Sequence, residues 1–355
     1  MPRWAWIIPF LAVAELAVAL VLSVGPVLIA LCVPVLGACV FVAVYHAEVV
    51  AHRVGEPFGT LVLALAVTVI ETALIVSMMM AGGGETAALP RDTIYSAIMI
   101  ICNGVVGVCI LVGGLQHREQ AFRIEGTNAA LVVLVALATL SLVLPSFTTS
   151  SPGPTYTAAQ LAFAAVASLV LWSVFIFVQT VRHRDYFLPK EGRSDESHHA
   201  DRPTNLRAWS SFGLLLVSLV AIVGLAKVLS PSIERGVAAV GAPQTVIGIV
   251  IAMLVLLPET WAAVRAATAN RLQTSMNLAL GSAVASIGLT IPAVALASYA
   301  LRQPLVLGLA PKDIVLLMLT FVIAVITLGT GRTNMMQGAV HLVLFAAFLV
   351  LALAP

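Results

Sequence analysis

Long stretches without charge constrain this chain more than any single motif does. They are about 20 residues long, the length needed to cross the hydrocarbon core of a bilayer, and they recur from one end of the chain to the other. Of the 355 residues, 61% are hydrophobic and only 10% are charged. A water-soluble domain cannot bury that much apolar surface. The sequence therefore predicts an integral membrane protein, and because the stretches are rich in Ala, Val and Leu and longer than strands, its spans are expected to be helices.

Turn-forming and polar segments separate these stretches into eleven predicted spans. We place them at about residues 4–22, 26–45, 57–81, 94–115, 128–145, 158–181, 208–229, 243–264, 275–300, 313–329 and 333–353. The predicted fold class is an all-α polytopic membrane protein with an extra N-terminal helix (1–25), a first five-helix repeat (26–181), a cytoplasmic linker (182–207) and a second five-helix repeat (208–355). Because five is odd, the second repeat enters the membrane from the opposite side, an arrangement typical of secondary transporters.

The distribution of basic residues predicts the orientation. Most of the 18 Lys and Arg residues fall on the side of the membrane that holds the N-terminus, and positive charge is enriched on the cytoplasmic side. We therefore expect a bacterial inner-membrane protein, in contact with the lipid bilayer, with a cytoplasmic N-terminus and a periplasmic C-terminus. The oligomeric state is left open.

The sequence does not predict nucleic-acid binding, disulfide bonds, a thiolate metal site or enzymatic activity. The net charge is +2, and no basic cluster with interleaved aromatic residues predicts nucleic-acid binding. The four cysteines lie in apolar stretches, which favours small buried side chains over disulfides or a thiolate metal site. No nucleophile–base pair, zinc motif or phosphate-binding loop predicts an enzyme, and no cofactor is expected.

Three of the 16 acidic residues lie well inside predicted helices: Glu15, Glu71 and Glu259. A charge at the bilayer centre costs about 2.5–3.5 kcal/mol, so such groups usually face the bundle interior and bind something. Glu15, in the extra helix, is interpreted as a hydrogen-bonded packing residue. Glu71 in "VTVIETALIV" and Glu259 in "LVLLPETWAAV" each begin a Glu-Thr pair about two thirds along the second helix of a repeat. This match predicts one shared site near the membrane midplane.

The chemistry of two carboxylates suggests what such a site binds. Carboxylates are hard oxygen ligands suited to Ca²⁺, Na⁺ or H⁺, and ligands to a metal must first lose their protons. Mutually exclusive occupancy by protons or a cation is what an antiporter needs, although a passive cation channel stays open as an alternative. Ca²⁺ takes about six to eight oxygens, so neighbouring helices are expected to add ligands. The candidate metal ligands are Glu71, Glu259, Thr68, Asn103, Ser282 and Ser286.

A second group of residues lies at the end of the second span. Glu48, His52 and Glu56 are spaced by four, so they share one face if that helix continues into the cytoplasm. They are candidates for cation funnelling or proton relay, with an ordinary solvated helix end as the alternative. His341, in the last span, has no visible partner in the sequence and is interpreted as structural.

Two segments resemble a known family. Residues 46–71, "HAEVVAHRVGEPFGTLVLALAVTVIE", and 243–292, which contain "MLVLLPETWAAVRAATANRLQTSMNLALGSAVASIGLTIP", closely resemble bacterial calcium/proton antiporters, a branch of the calcium/cation antiporter superfamily. Residues 113–130, "GGLQHREQAFRIEGTNAA", are also similar to that family. The resemblance implies Ca²⁺/H⁺ exchange with one essential glutamate in each repeat, matching Glu71 and Glu259.

The sequence departs from the wider superfamily at the positions that flank these glutamates. Where many exchangers have Gly-Asn before each glutamate, this chain has Val67-Thr68 and Val255-Leu256, and a Gln of the ninth helix would fall near Ala285. The resemblance therefore implies fewer amide oxygens at the site. Since relatives in this branch are also associated with Na⁺/H⁺ and K⁺/H⁺ exchange, a monovalent cation antiporter is the alternative.

Overall fold

The computed structural model is mainly helical, with two short strands among the residues that it describes. It describes residues 1–21, 25–55, 58–82, 87–188, 203–239 and 241–354. The helices are α1 (Trp4–Val21), α2 (Pro26–Val54), α3 (Phe58–Gly82), α4 (Leu89–His117), α5 (Ile124–Ser146), α6 (Ala158–Arg182), α7 (Asn205–Ala239), α8 (Thr245–Thr268), α9 (Leu272–Leu301), α10 (Pro311–Leu328) and α11 (Met335–Leu353).

The predicted all-α polytopic fold is confirmed. Within the described residues, 10 helices are long and apolar enough to cross a membrane, and α3 contains the shorter apolar stretch Leu65–Met80. These helices coincide with the eleven predicted spans, mostly to within a few residues. The opposed orientation of the two repeats stays a prediction.

Two helices run well beyond their predicted ends. The second was expected to end near residue 45 but continues to Val54, where Gly55 adopts φ +76° and its N–H bonds to Ala51 O. A glycine with positive φ is a common helix terminator. The seventh was expected to end near residue 229 and continues to Ala239. Hydropathy marks where an apolar stretch ends, whereas a helix continues until a capping residue stops it.

The two strands were not predicted: the first falls between two predicted spans, and the second overlaps the start of the span predicted at 333–353. Strand β1 (Glu119–Ala121) follows α4 and pairs antiparallel with β2 (Arg332–Asn334), which precedes α11. Gln120 in β1 is buried, and its Nε2 donates to Ala267 O at 2.9 Å and to Asn270 Oδ1 at 3.1 Å. The small sheet therefore anchors the turn between α8 and α9, the two helices that carry Glu259 and Ser282.

The helices group into two compact units, each of which combines early and late parts of the chain. Unit 1 is Met1–Thr86 with Asp195–Val255. In it α2 packs against α1, α3 and α7. Helix α1 is fixed by His46, whose Nε2 lies 2.9 Å from Ala5 O, and by its contact with Gly224 of α7, where a Cβ would overlap Leu16.

Unit 2 is Ala87–Ser194 with Leu256–Pro355. In it α4 packs along α11, and α9 packs against α5 and α6. Glycines permit the closest approaches: a Cβ on Gly288 of α9 would lie 2.6 Å from Trp172 Cβ in α6, and one on Gly338 of α11 would lie 2.5 Å from the backbone N of Leu111 in α4. Close helix approach at small residues is typical of membrane proteins.

The predicted domain boundaries are not decided by these units. The repeats are consecutive along the chain, and most of the predicted linker, residues 189–202, lies outside the described residues. At its start, Arg184–Phe187 form a short 3₁₀ turn, and at its end α7 begins at Asn205.

Candidate functional site

Glu71 lies in the middle of α3, in unit 1. Its side chain is only 4% exposed, and Thr68, one turn earlier, is 6% exposed. Residues three apart share a helix face, so a carboxylate and a hydroxyl are buried together on one side of α3. Ile70 and Ile75, also buried, pack the same stretch of helix. A buried carboxylate in an apolar helix is retained against a substantial desolvation penalty, which points to a binding role.

Glu259 lies on α8, in unit 2, and borders a narrow pocket of about 10 Å³. The lining residues come from α4, α8 and α9. They are Ile101, Val105, Leu256, Glu259, Thr260, Ala279 and Ser282. The carboxylate and the hydroxyl groups of Thr260 and Ser282 are the polar side chains in this wall, and the rest is apolar. The pocket thus brings three residues with hard oxygen donors together among apolar side chains.

The helix that carries Glu259 is α-helical from Thr245 to Thr268 but lacks one backbone hydrogen bond near the glutamate. Pro258, immediately before Glu259, has no N–H and cannot make its helical hydrogen bond. Two residues later, Thr260 Oγ1 donates to Leu256 O at 2.7 Å. Prolines and back-bonding hydroxyls of this kind often bend a helix. Pro258 and Thr260 are therefore the neighbours on α8 whose replacement is expected to change the direction of the Glu259 side chain.

Ser282 and Ser286 lie one turn apart on α9. Ser282 lines the Glu259 pocket, and Ser286 is 4% exposed. Gly281, next to Ser282, has open space around the position of a Cβ, whereas Gly288 on the same helix packs closely against Trp172.

Asn103, predicted as a ligand, is directed elsewhere within unit 2. It is fully buried in the middle of α4, in a π-helical turn that spans Ile100–Val105. Its Nδ2 donates to Thr320 Oγ1 at 2.9 Å, and its Oδ1 lies 3.3 Å from Nδ1 of His341. Asn103 is not among the residues that line the Glu259 pocket. A direct contact between Asn103 and a cation stays a prediction.

The third predicted group lies at the end of α2. This helix continues past the apolar stretch, as the shared face of Glu48 and His52 requires, and both side chains are exposed. Glu56, the third member, lies outside the described residues. The relay or funnelling role of these residues stays a prediction.

The sequence did not show the partner of His341. That partner, Asn103, lies 238 positions away, and only the fold brings the two residues together. The one available signal was that Asn103, Thr320 and His341 are polar residues in apolar helices. Nothing in the sequence indicates that these three residues contact one another.

Comparison with known proteins gives consistent matches over nearly the whole chain. The family described as "Sodium/calcium exchanger protein" matches residues 24–181 and 210–354. A Sinorhizobium fredii protein, y4hA, named as a candidate ionic transporter, is 47% identical over 100% of this chain and 97% of its own length. The sodium-potassium/proton antiporter ChaA of Escherichia coli is 35% identical, with 87% of this chain and 84% of ChaA covered.

A solved structure supports the same fold. The crystal structure of the H⁺/Ca²⁺ exchanger CAX superimposes with a TM-score of 0.73 at 15% sequence identity, covering 98% of this chain and 87% of that one. At this identity the similarity establishes the fold alone.

Proposed function

Because this chain belongs to the sodium/calcium exchanger protein family, we propose that it is a secondary active cation/proton antiporter that exports Ca²⁺ in exchange for H⁺. The observation that carries the proposal is the Glu259 pocket, in which a carboxylate and two hydroxyl groups face an otherwise apolar enclosure. The buried Glu71 with Thr68 on α3 supports it as the counterpart from the other predicted repeat.

The exchange follows from the competition between protons and a cation for the same oxygens. Glu71 and Glu259 are proposed to share one site: each carboxylate either holds a proton or, once deprotonated, ligates the cation. Ser282, Ser286 and Thr68 would add neutral oxygens, which Ca²⁺ needs to reach its usual six to eight ligands. Protons entering the cytoplasm down their gradient would release the cation to the outside, provided that the site is open to one side at a time.

The proposed setting is the bacterial inner membrane, with the N-terminus in the cytoplasm and the C-terminus outside. The multi-pass helical fold supports membrane insertion, and the distribution of Lys and Arg along the sequence supports the orientation. Cysteine-accessibility labelling of residues introduced at Pro2 and Ala354 in intact cells tests it. Labelling of the N-terminal position by an impermeant reagent would contradict the orientation.

A second candidate is exchange of Na⁺ or K⁺ for H⁺ at the same residues. It is favoured by the 35% identity to the sodium-potassium/proton antiporter ChaA. Val67-Thr68 and Val255-Leu256, which give the site no amide oxygens at these positions, are compatible with a cation that needs fewer ligands than Ca²⁺.

Purified protein in liposomes with an imposed pH gradient discriminates these candidates. Each of Ca²⁺, Na⁺ and K⁺ is added alone, and a pH-sensitive dye reports proton movement at zero membrane potential. We expect Ca²⁺ to dissipate the gradient at the lowest concentration, with ⁴⁵Ca²⁺ uptake coupled to proton release. Dissipation by Na⁺ or K⁺ at a lower concentration supports the second candidate. Cation flux without proton movement contradicts antiport and indicates a channel.

A further inference from the structure

A buried polar cluster lies on the side of α4 that faces away from the Glu259 pocket. It consists of Asn103 on α4, Thr320 on α10 and His341 on α11, each with an exposed fraction of 0%. Thr320 accepts from Asn103 Nδ2 and donates its own hydrogen to Leu316 O at 2.8 Å. His341 Nδ1 lies 3.3 Å from Asn103 Oδ1. Because that oxygen can only accept, Nδ1 must carry the hydrogen.

The hydrogen bonds converge on an irregular part of the helix. Residues Ile100–Val105 form a π-helical turn, in which Val106 N–H reaches back to Ile101 O. Wide turns of this kind are rare and occur frequently at functional sites. His341 also interacts with the backbone of Cys102 in the same turn. The histidine therefore contacts two consecutive residues of the turn, at a side chain and at the backbone.

The opposite side of this turn forms part of the Glu259 pocket. Ile101 and Val105, four residues apart, line the pocket, whereas Asn103 lies between them on the other side. A change in the turn would therefore move both apolar side chains relative to Glu259 and Ser282. The cluster and the pocket therefore contact opposite sides of the same six-residue segment, Ile100–Val105.

Helix α11 is held close enough to support the turn. A Cβ on Gly107 would lie 3.1 Å from His341 Cβ, and one on Gly104 would lie 3.4 Å from the ring of Phe345. Gly338, one turn before His341, contacts the backbone of α4. With the backbones in contact, the imidazole has little freedom to turn away from Asn103.

We propose that His341 is a positioning residue for cation binding. Through Asn103 and Cys102 it holds the π-helical turn in the geometry that places Ile101 and Val105 against Glu259 and Ser282. This inference rests on the proposed function of the Glu259 pocket. It assigns a role in binding to α11, a helix that contributes no side chain to that pocket.

The test compares His341→Leu, His341→Asn and His341→Gln in liposomes, with the apparent KM for the cation and the maximal exchange rate measured separately. The amide nitrogen of Asn can take the place of Nδ1 and donate to Asn103, whereas the longer Gln places its amide near the position of Nε2. We expect His341→Leu to raise the apparent KM about tenfold, the size of effect seen when supporting networks are disturbed. His341→Asn should restore KM to within about twofold of the original, and His341→Gln should not.

His46→Leu is the matched control. His46 is also fully buried and also has one ring-nitrogen hydrogen bond, to Ala5 O, but it belongs to unit 1. Its replacement should lower the melting temperature without changing the apparent KM. If His341→Leu behaves in the same way, or if His341→Asn is no better than His341→Leu, the positioning role is overturned.

A second pair of variants covers the case in which His341→Leu does not fold. Thr320→Val removes the hydroxyl that accepts from Asn103, and Thr320→Ser keeps it. Thr320→Val should raise KM, and Thr320→Ser should leave it unchanged; equal KM values for the two overturn the proposal.

Glu259→Gln, measured in parallel, distinguishes a failure of the positioning role of His341 from a failure of the proposed function. If it abolishes exchange while His341→Leu has an unaltered KM, only the positioning role fails, whereas exchange that survives Glu259→Gln contradicts the proposed function itself.

Discussion

Glu71 and Glu259 begin the same dipeptide at matching places in the sequence, yet the helices that carry them differ. Helix α3 has no proline, and Glu71 is 4% exposed beside Ile70, which is 1% exposed. Helix α8 has Pro258 directly before the glutamate, and Glu259 is half-buried against a pocket. The repeated motif thus places the same chemistry at two points, whereas the surrounding residues pack one carboxylate tightly and leave the other partly exposed beside a narrow pocket.

This difference suggests a division of labour between the two carboxylates. A packed side chain offers a ligand in a fixed place, which favours selectivity, because displacement of a ligand by even a small distance weakens a coordination shell. A side chain beside a pocket can follow a cation or a proton as it enters and leaves. The following variants test whether the two positions are equivalent.

The largest effect is expected from removal of either negative charge. Glu71→Gln and Glu259→Gln each keep the shape of the side chain but lose the ionised ligand that the cation requires. We expect the exchange rate to fall by about a hundredfold or more for both, since even the loss of residues that support a metal ligand costs ten- to a hundredfold. ⁴⁵Ca²⁺ uptake into liposomes with an imposed pH gradient measures the loss.

Glu119→Gln provides the control, because Glu119 is an exposed glutamate in β1. It should transport normally. Full activity of either Glu71→Gln or Glu259→Gln would show that the replaced residue is not a cation ligand. It would also contradict the hypothesis that the two glutamates share one site.

The next effect should differ between the two positions. Glu71→Asp and Glu259→Asp both shorten the side chain by one methylene. The packed surroundings of Glu71 hold the shortened carboxylate away from the cation, whereas the pocket beside Glu259 lets the cation move toward it. We expect the apparent KM for the cation to rise about tenfold more for Glu71→Asp than for Glu259→Asp. Equal increases, or a larger one at Glu259, would contradict the proposed division of labour.

The membrane fold and the placement of the two glutamates well inside helices were predictable from the sequence for the same reason. Apolar stretches of membrane length are long, local signals, and a carboxylate inside one is costly enough to be informative by itself. The bounds found for α3 and α9 accordingly lie within three residues of those predicted. Where the signal was local and energetically large, the prediction held.

The contacts that shape the site were not predictable because they depend on residues far apart. His341 and Asn103 are separated by 238 positions, and the strands β1 and β2 have only three residues each. Neither leaves a periodic pattern in the sequence. The π-helical turn at Ile100–Val105 has the same apolar composition as an ordinary helix, so only side-chain contacts to other helices reveal it.

A smaller effect is expected at the residue before each glutamate. Pro258→Ala restores the backbone N–H that α8 lacks at this position, which should turn Glu259 away from its present direction. We expect the exchange rate to fall about fivefold while the melting temperature stays unchanged or rises, because proline inside a helix is unfavourable by about 3 kcal/mol.

Ile70 precedes Glu71 as Pro258 precedes Glu259, but Ile70→Ala should lower the stability and leave the exchange rate unchanged. Loss of this buried side chain should lower the stability by about 2–5 kcal/mol while the folded protein keeps its exchange rate. Thermal unfolding in detergent and transport per folded molecule separate the two quantities. If Pro258→Ala changes stability and not rate, the proline has no part in directing Glu259.

The neutral oxygens should have a smaller effect on cation binding than the two carboxylates, and this effect bears on the identity of the cation. Ser282→Ala removes one hydroxyl group from the Glu259 pocket. Thr68→Val removes the hydroxyl group near Glu71 and keeps the shape of the residue 68 side chain. Loss of one uncharged hydrogen-bonding group costs about 1 kcal/mol, so the apparent KM should rise about fivefold if the hydroxyl binds the cation. Because Ca²⁺ needs six to eight oxygens, the increase should be larger for Ca²⁺ than for Na⁺ or K⁺. Ser173→Ala, at an exposed serine whose hydroxyl bonds only to Leu169 O, is the control, and a rise no larger than in this control would exclude the tested hydroxyl from the coordination shell.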